Sequence, residues 1–281
     1  INGIIGIYLK EIGVSGKVIT TFHGYDMSEF ICQNGNNVYN LLFHEGDLFL
    51  PVSNYWKQKL INLNCESNKI IVHHMGIDLE KFKFMEKAIK QREPIKILTI
   101  GRLTEKKGHK YAIKAIGKLI RKHKNILYII AGDGELRSTL ESLTSKLGIK
   151  NHVTFLGVVE EDEVLNLYRD ADIFLLPSIT SDTGDQEGIP IVLIEAHATG
   201  LPVVSTFHTG IPEIVINGKS GFLVPEKNVD ALAERLDFLV SHPALWEKMG
   251  KEGREHIEKY FNIKTQIMLL EKIYRKIIKK V

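Results

Sequence analysis

The chain is short of several things, and each shortage removes a class of explanation. Cysteine occurs only at Cys32 and Cys65. Two cysteines without ligand spacing make neither a zinc site nor a disulfide framework, and they point to free thiols in a reducing compartment. No apolar run approaches the roughly 20 residues of a membrane-spanning helix, and no signal peptide opens the chain, so a cytoplasmic setting is expected. Net charge is only +3 over 281 residues, with a pI near 8.6. That balance tolerates anionic ligands but is too weak to argue for nucleic acid. Internal repeats and low-complexity tracts are absent. So is G-x-G-x-x-G, which leaves no argument for a nicotinamide cofactor. Methionine does not stand first: the chain begins at Ile1 within an apolar, helix-like run, I-N-G-I-I-G-I-Y-L-K. The natural start is expected upstream, with part of the active site.

What is present is an ordinary globular composition, 44% hydrophobic and 25% charged, in a chain long enough for two domains. From Ile95 onward, apolar runs alternate with helical periodicity. I-K-I-L-T-I (95–100), I-L-Y-I-I-A-G (126–132), H-V-T-F-L-G (152–157), D-I-F-L-L-P (172–177) and P-V-V-S (202–205) read as strands. Helices are expected after G-R-L-T-E-K-K-G, over 136–147, over 161–169 and after Pro190. Continuous apolar strands separated by helices imply a parallel sheet covered on both faces. Three shorter strands are expected at 17–24, 47–53 and 69–76, followed by a charged linker ending at Pro94. The fold class is therefore α/β, with two Rossmann-like doubly wound units, the first incomplete. The expected division is 1–85, 86–260 and a C-terminal helix, 261–281. That helix carries an apolar stripe (Ile263, Ile267, Leu270, Tyr274, Ile277, Val281) flanked by Lys272, Arg275, Lys276, Lys279 and Lys280. It can pack back on the body with a solvated basic face, or lie on an anionic membrane surface.

In open parallel sheets ligands bind beyond the carboxyl ends of the strands. Arg102 and Lys107 follow the first strand of the second unit and suit a diphosphate, although cations in a polar loop are also simply solvated. G-D-G-E (132–135) is a tight turn that lets backbone approach a ligand. Gly157 ends the next strand, where main-chain groups can read a nucleobase edge. The stretch D-Q-E-G-I-P-I-V-L-I-E (185–195) places Glu187 before a helix that Pro190 would open, and Glu195 within it. Free N–H groups at 188–192 would favour phosphate. With a helical rise throughout, the two carboxylates would lie roughly 12 Å apart, a span comparable with that from a sugar across a diphosphate to a ribose.

G-R-L-x-x-x-K-G, A-G-D-G-E, F-L-G and E-x7-E, in this order, resemble the nucleotide-sugar half of GT-B fold glycosyltransferases, and more narrowly the retaining enzymes of family 4. T-F-H-G-Y-D (21–26) resembles the segment of the first domain that carries an active-site histidine. H-H-M-G-I-D (73–78) resembles the interdomain N-G-V-D stretch, with His74 and Met75 departing from it. T-G-D-Q-E-G-I-P resembles enzymes of colanic-acid and related exopolysaccharide pathways. The resemblance implies a bacterial hexosyltransferase that moves sugar from a nucleotide-diphosphate sugar, with a UDP-sugar as the favoured donor, to a saccharide or lipid-linked saccharide. It would act at the inner face of the plasma membrane. It implies that Arg102 and Lys107 hold the diphosphate, Glu187 the transferred sugar and Glu195 the ribose. Gly157, Gly188, Ile189, Pro190 and Ile191 would line the donor, and His23 would approach from the opposite domain. No cofactor and no metal are implied, and no D-x-D follows a strand near these residues. Two other readings stay open: a nucleotide-sugar-binding fragment without catalysis, and a GT-B epimerase or phosphorylase.

Overall fold

The computed structural model describes residues 2–87 and 94–278 of the chain. The first lobe comprises α1 (Asn2–Glu11), β1 (Ile19–Phe22), α2 (Gly24–Met27), α3 (Glu29–Asn34), α4 (Asn40–Glu45), β2 (Leu48–Pro51) and α5 (Asn54–Asn62). β1 and β2 pair in parallel, from Ile19 opposite Leu48 to Phe22 opposite Pro51. An aromatic cluster fills the space beneath them. Phe22 meets Tyr39 edge-on at 5.2 Å, and Phe43 meets Phe49 at 5.5 Å; such T-shaped pairs add to the area that the rings bury. Ser53 starts α5 as its N-cap, its hydroxyl accepting from the Trp56 amide at 3.3 Å.

The strand expected at 69–76 does not form as one. Ser67–Lys69 is a short 3-10 turn, and beyond it only a single bridge joins Ile70 to Phe49. Ile71 and His73 donate to the carbonyls of Phe49 and Pro51. The segment thus runs extended beside β2 but soon turns away to cross to the second lobe.

The second lobe holds β3 (Ile95–Ile100), α6 (His109–Lys122), β4 (Ile126–Ala131), α7 (Arg137–Lys146), β5 (Val153–Gly157), α8 (Glu161–Asp170), β6 (Ile173–Leu176), α9 (Ile191–Ala198), β7 (Val203–Thr206), β8 (Gly221–Val224), α10 (Val229–Ser241) and α11 (Trp246–Tyr260). All six strands run parallel, in the order β5-β4-β3-β6-β7-β8. Every residue of β6 and β7 is buried, the consequence of helices on both faces. α6 buries Ala112, Ile113, Ala115, Ile116, Leu119 and Ile120 on one side; each large aliphatic contributes about 1.5–3 kcal/mol. The order reverses between β3 and β6, and the carboxyl ends of the strands at such a switch point are where open α/β sheets bind ligands.

Two stretches of chain cross between the lobes, and they are stitched together. Ile77 donates to the Phe261 carbonyl and Ile263 to that of Ile77. A Cβ on Gly76 would lie 2.7 Å from the Ile263 Cα, so only glycine permits that crossing. The last helix, α12 (Ile263–Ile278), returns to the first lobe. Ile273 and its neighbours Leu270 and Ile277 pack on Leu48, Leu50, Ile19 and Ile71. Residues 88–93 of the charged linker expected before Pro94, and the last lysines of the basic helix, lie outside the described residues. Among the described residues no helix is long and apolar enough to cross a membrane.

Candidate functional site

Three neighbouring strands of the second lobe reach a glycine at their tips, Gly101 and Gly132 just past β3 and β4 and Gly157 closing β5, and the three tips are fastened to one another. Gly101 donates to the Ala131 carbonyl at 2.9 Å and Gly132 to that of Gly157 at 2.7 Å. Gly132 has φ +132°, and a Cβ there would fall 2.1 Å from the Gly101 oxygen. Backbone alone therefore floors this end of the sheet, and a ligand can approach it closely.

The loops after β3 and β6 meet at the switch point. Gly108, at φ +70°, passes so near Pro177 that a Cβ would lie 1.9 Å from the proline carbonyl. Ile179 donates to the Lys106 carbonyl at 2.8 Å. This contact carries both lysines of E-K-K-G onto the acidic stretch: Lys106 pairs with Asp185 and Lys107 with Glu187, each at 2.7 Å. Ser178 Oγ also donates to Glu187 Oε1 at 3.1 Å. Both bonds fall on Oε1, and Oε2 takes no hydrogen bond among the described residues. Glu187 is only 5% exposed. Burial opposes its charge, but Lys107 beside it and Lys106 beyond it hold the carboxyl below its usual range. Arg102 is exposed, and its guanidinium has no acidic partner among the described residues. Its carbonyl accepts from His109 Nε2 at 3.0 Å. Burial brings His109 down to about 4, so the ring is neutral.

Behind Glu187 the main chain is anchored by a histidine. The Glu187 amide donates to His208 Nε2 at 3.1 Å. His208 Nδ1 meets Glu226 Oε1 at 2.6 Å, and Glu226 Oε2 accepts from the Thr180 amide at 2.8 Å.

Pro190 stands one position earlier than the sequence suggests. It is the N-cap of α9, with φ −73° and ψ 106°, and the helix begins at Ile191. Residues 187–190 are therefore not helical, and the 12 Å helical span expected between the glutamates does not apply. The amides of Ile189, Ile191 and Val192 have no hydrogen-bond partner among the described residues. They form the positive end of the helix, a setting that favours an anion. Further along α9, Glu195 Oε2 accepts from the Tyr168 hydroxyl at 2.8 Å. Burial pushes this carboxyl up, against the lowering effect of the tyrosine bond.

The first lobe closes on the same loop. A Cβ on Gly24 would sit 2.5 Å from the Gly188 nitrogen, so two glycines let the lobes touch backbone to backbone. His23 precedes this contact and is exposed at the lobe boundary. The Gln186 amide donates to Ser28 Oγ at 3.2 Å, and Trp56 Nε1 donates to the Gly188 carbonyl at 3.2 Å. Nearby, Glu213 accepts from the Asn54 amide and side chain at 2.8 Å and meets His74 Nε2 at 3.0 Å. A carboxylate of one lobe thus caps α5 of the other. The structure therefore gathers Arg102, Lys107, Gly157, Glu187, Gly188, Ile189, Pro190 and Ile191 around the strand ends. Glu195 lies deeper along α9, and His23 lies across the boundary.

A crevice of this kind, with two lobes meeting over a glycine floor, fits a known group of proteins. Residues 80–256 match the family described as Glycosyl transferases group 1. The chain belongs to that family. Among its relatives is WcaL of Salmonella typhimurium, a protein whose name assigns it to colanic acid biosynthesis as a glycosyltransferase, 40% identical over 265 residues, covering 92% of this chain and 64% of WcaL. The amylovoran biosynthesis glycosyltransferase AmsK of Erwinia amylovora is 40% identical over 263 residues, with the same coverage. The chain thus spans about two thirds of the length of these relatives. Among solved structures, Anabaena HepE in complex with UDP-glucose superposes with TM-score 0.83 at 19% identity, covering 98% of this chain and 75% of HepE. That likeness concerns the GT-B fold.

Sequence reading missed Ser178, Tyr168, His208, Glu226, Trp56 and Glu213 in this member of the family. Tyr168 lay unremarked in a helical stretch, and the His208–Glu226 pair spans separate strand ends with no local pattern to connect it. Glu213 lies in G-I-P-E (210–213), and its partner at the start of α5 is far away in the sequence.

Proposed function

We propose that this crevice binds a nucleoside-diphosphate sugar, a UDP-sugar first, and that the protein transfers the sugar to a saccharide acceptor in exopolysaccharide synthesis. The observation that carries this reading is the Lys107–Glu187 pair, on a loop that also carries Arg102, whose guanidinium has no acidic partner among the described residues. Arg102 offers a fixed charge to the diphosphate. Lys107 can share its charge between phosphate and Glu187, and Glu187 Oε2 is left to accept from sugar hydroxyls. The α9 amides add dipole stabilisation on the phosphate side, and Glu195, oriented by Tyr168, suits the vicinal hydroxyls of a ribose. His23 would reach the sugar and acceptor from the first lobe.

In transfer, the bond from the anomeric carbon to the diphosphate oxygen breaks, its electron pair leaving on the diphosphate, while an acceptor hydroxyl oxygen bonds to that carbon and the hydroxyl proton passes to the departing diphosphate. Arg102 and Lys107 would stabilise the charge left on the diphosphate, the contribution a divalent metal makes elsewhere. We assign retention of anomeric configuration and independence from metal on the family resemblance. The names of WcaL and AmsK support the pathway, and the UDP-glucose complex of HepE supports the donor. The outer side of α12 exposes Ile267, Met268, Tyr274 and Ile278 among Lys272, Arg275 and Lys276. This face suits peripheral contact with an anionic membrane carrying a lipid-linked acceptor.

Calorimetry with UDP, UDP-sugars and GDP-mannose tests donor binding, and transfer assays with and without chelator test the chemistry. Glu187→Ala is expected to abolish transfer while the fold persists. Undiminished turnover by that variant sinks the site assignment, and a strict metal requirement removes the metal-free step. A second reading, donor binding without transfer, is favoured by the two-stranded sheet described in the first lobe; it predicts calorimetric binding with no product.

A further inference from the structure

We propose that His208 and Glu226 form a positioning relay for sugar recognition, acting through the main chain of Glu187. The inference rests on the donor site proposed above. Its basis is the directionality of four consecutive groups. The Glu187 N–H can only donate, so His208 Nε2 must accept. A neutral imidazole that accepts at Nε2 carries its proton on Nδ1, and that proton points at Glu226 Oε1, 2.6 Å away. The other carboxylate oxygen of Glu226 accepts from the Thr180 N–H. One carboxylate and one buried ring, with 0% of the His208 side chain exposed, thus satisfy two main-chain donors at the two ends of a single loop.

That loop has its own closure. Ser181 N donates to the Asp185 carbonyl, and Gln186 Nε2 donates to Thr180 Oγ1 at 2.9 Å. Lys106 pairs with Asp185, Glu105 Oε2 accepts from the Asp182 amide and Ser28 Oγ from that of Gln186, which holds the loop towards the β3 connection and the first lobe. His208 follows β7 and Glu226 follows β8, so the relay ties the loop to two strands beyond the switch point. Lys107 and Ser178 hold the side chain of Glu187 from the other direction. The carboxylate is thereby fixed at both its main chain and its head, as discrimination between sugar hydroxyls requires.

The relay makes an unusual prediction about substitution order. In Glu226→Gln the amide can satisfy only one neighbour. With its oxygen on Thr180 N–H, its NH₂ faces His208 Nδ1 and forces the proton to Nε2, opposite the Glu187 N–H. With the amide flipped, its NH₂ faces the Thr180 N–H instead. Either way one buried donor confronts another. Glu226→Ala is gentler, because the glutamate side chain is 28% exposed and water can enter to accept from both donors. A role based on shape alone gives the opposite order, since glutamine keeps the shape and alanine does not.

The test is calorimetry on the full chain, using UDP and whichever of UDP-glucose, UDP-galactose, UDP-N-acetylglucosamine or GDP-mannose binds wild type most tightly. Should wild type bind none of them, the donor reading itself fails, and this proposal with it. Otherwise Glu226→Gln is expected to weaken the sugar nucleotide about tenfold, with Glu226→Ala within about threefold of wild type and UDP within about twofold throughout. Three results overturn the relay: alanine worse than glutamine, parallel loss of UDP, or no change in either variant. Should Glu226→Gln fail to fold, His208→Phe with Glu226→Ala, which removes the ring acceptor, must still weaken the sugar nucleotide selectively.

Discussion

Replacing Lys107 with methionine would strand a buried carboxylate and reverse the way the protein responds to pH. In the wild type, Glu187 is 5% exposed and its carboxyl is held low because Lys107 Nζ lies 2.7 Å from Oε1. A group whose folded pKa is depressed stabilises above its unfolded pKa, and that stability is lost as pH falls through the folded value. Lys107→Met keeps the aliphatic stem and removes the charge. Ser178 Oγ and the more distant Lys106 remain, but burial is then largely unopposed and the carboxyl rises above its ordinary range. Stability conferred by the neutral form is now lost as pH rises towards neutrality. Removing one partner of a buried pair costs about 3–5 kcal/mol, or at roughly 2–4 °C per kcal/mol a drop in Tm on the order of 10 °C near pH 8. Urea and thermal unfolding at pH 5 and pH 8 measure this. The variant should be closer to wild type at pH 5 than at pH 8, and adding Glu187→Gln should restore most of the loss at pH 8. A Lys107→Met protein equally stable relative to wild type at both pH values would show that Glu187 is not desolvated as the geometry requires, and the reasoning would fail.

Further outcomes follow from other contacts. His197 is fully buried, bonded to Ser220 and the Leu201 carbonyl, and burial lowers it from 6.5 to about 4. The unfolded chain therefore binds its proton first as pH falls, and stability should decline between pH 6.5 and 4; His197→Gln should flatten that slope by up to about 1.4 kcal/mol per pH unit in urea titrations. Gly24→Ala would put a methyl 2.5 Å from the Gly188 nitrogen and push the lobes apart. We expect donor affinity by calorimetry to fall about tenfold, roughly 1.4 kcal/mol, with little change in the second lobe's own stability. Tyr168→Phe removes the donor to Glu195, and UDP binding should weaken by about 1 kcal/mol.

Much of the second lobe was legible because its strands are continuous apolar runs, which only a doubly covered parallel sheet can bury. Arg102, Lys107 and Glu187 are legible as site candidates because they follow such runs. β8 was not, since G-F-L-V is short and follows a polar turn. The segment after Lys69 reads as a strand because Ile70, Ile71 and Val72 form a short apolar run; it fails to become one because it must leave β2 and cross to the other lobe. Pro190 fits a helix start equally well as cap or first residue, and local sequence does not choose between them.

The sequence by itself determined which residue types stand at the strand ends, since burial periodicity and glycine placement are local properties of the chain. Only the tertiary structure decided how they are paired. Lys107 neutralises Glu187 because the loops after β3 and β6 meet at one switch point, and Gly24 meets Gly188 because α12 and the 76–87 segment bring the lobes together. His208 orients Glu187 because β7 and β8 end beside the acidic loop. These contacts join residues far apart in the chain, and hydrogen-bond direction and desolvation act through distance in space, which a linear pattern does not record.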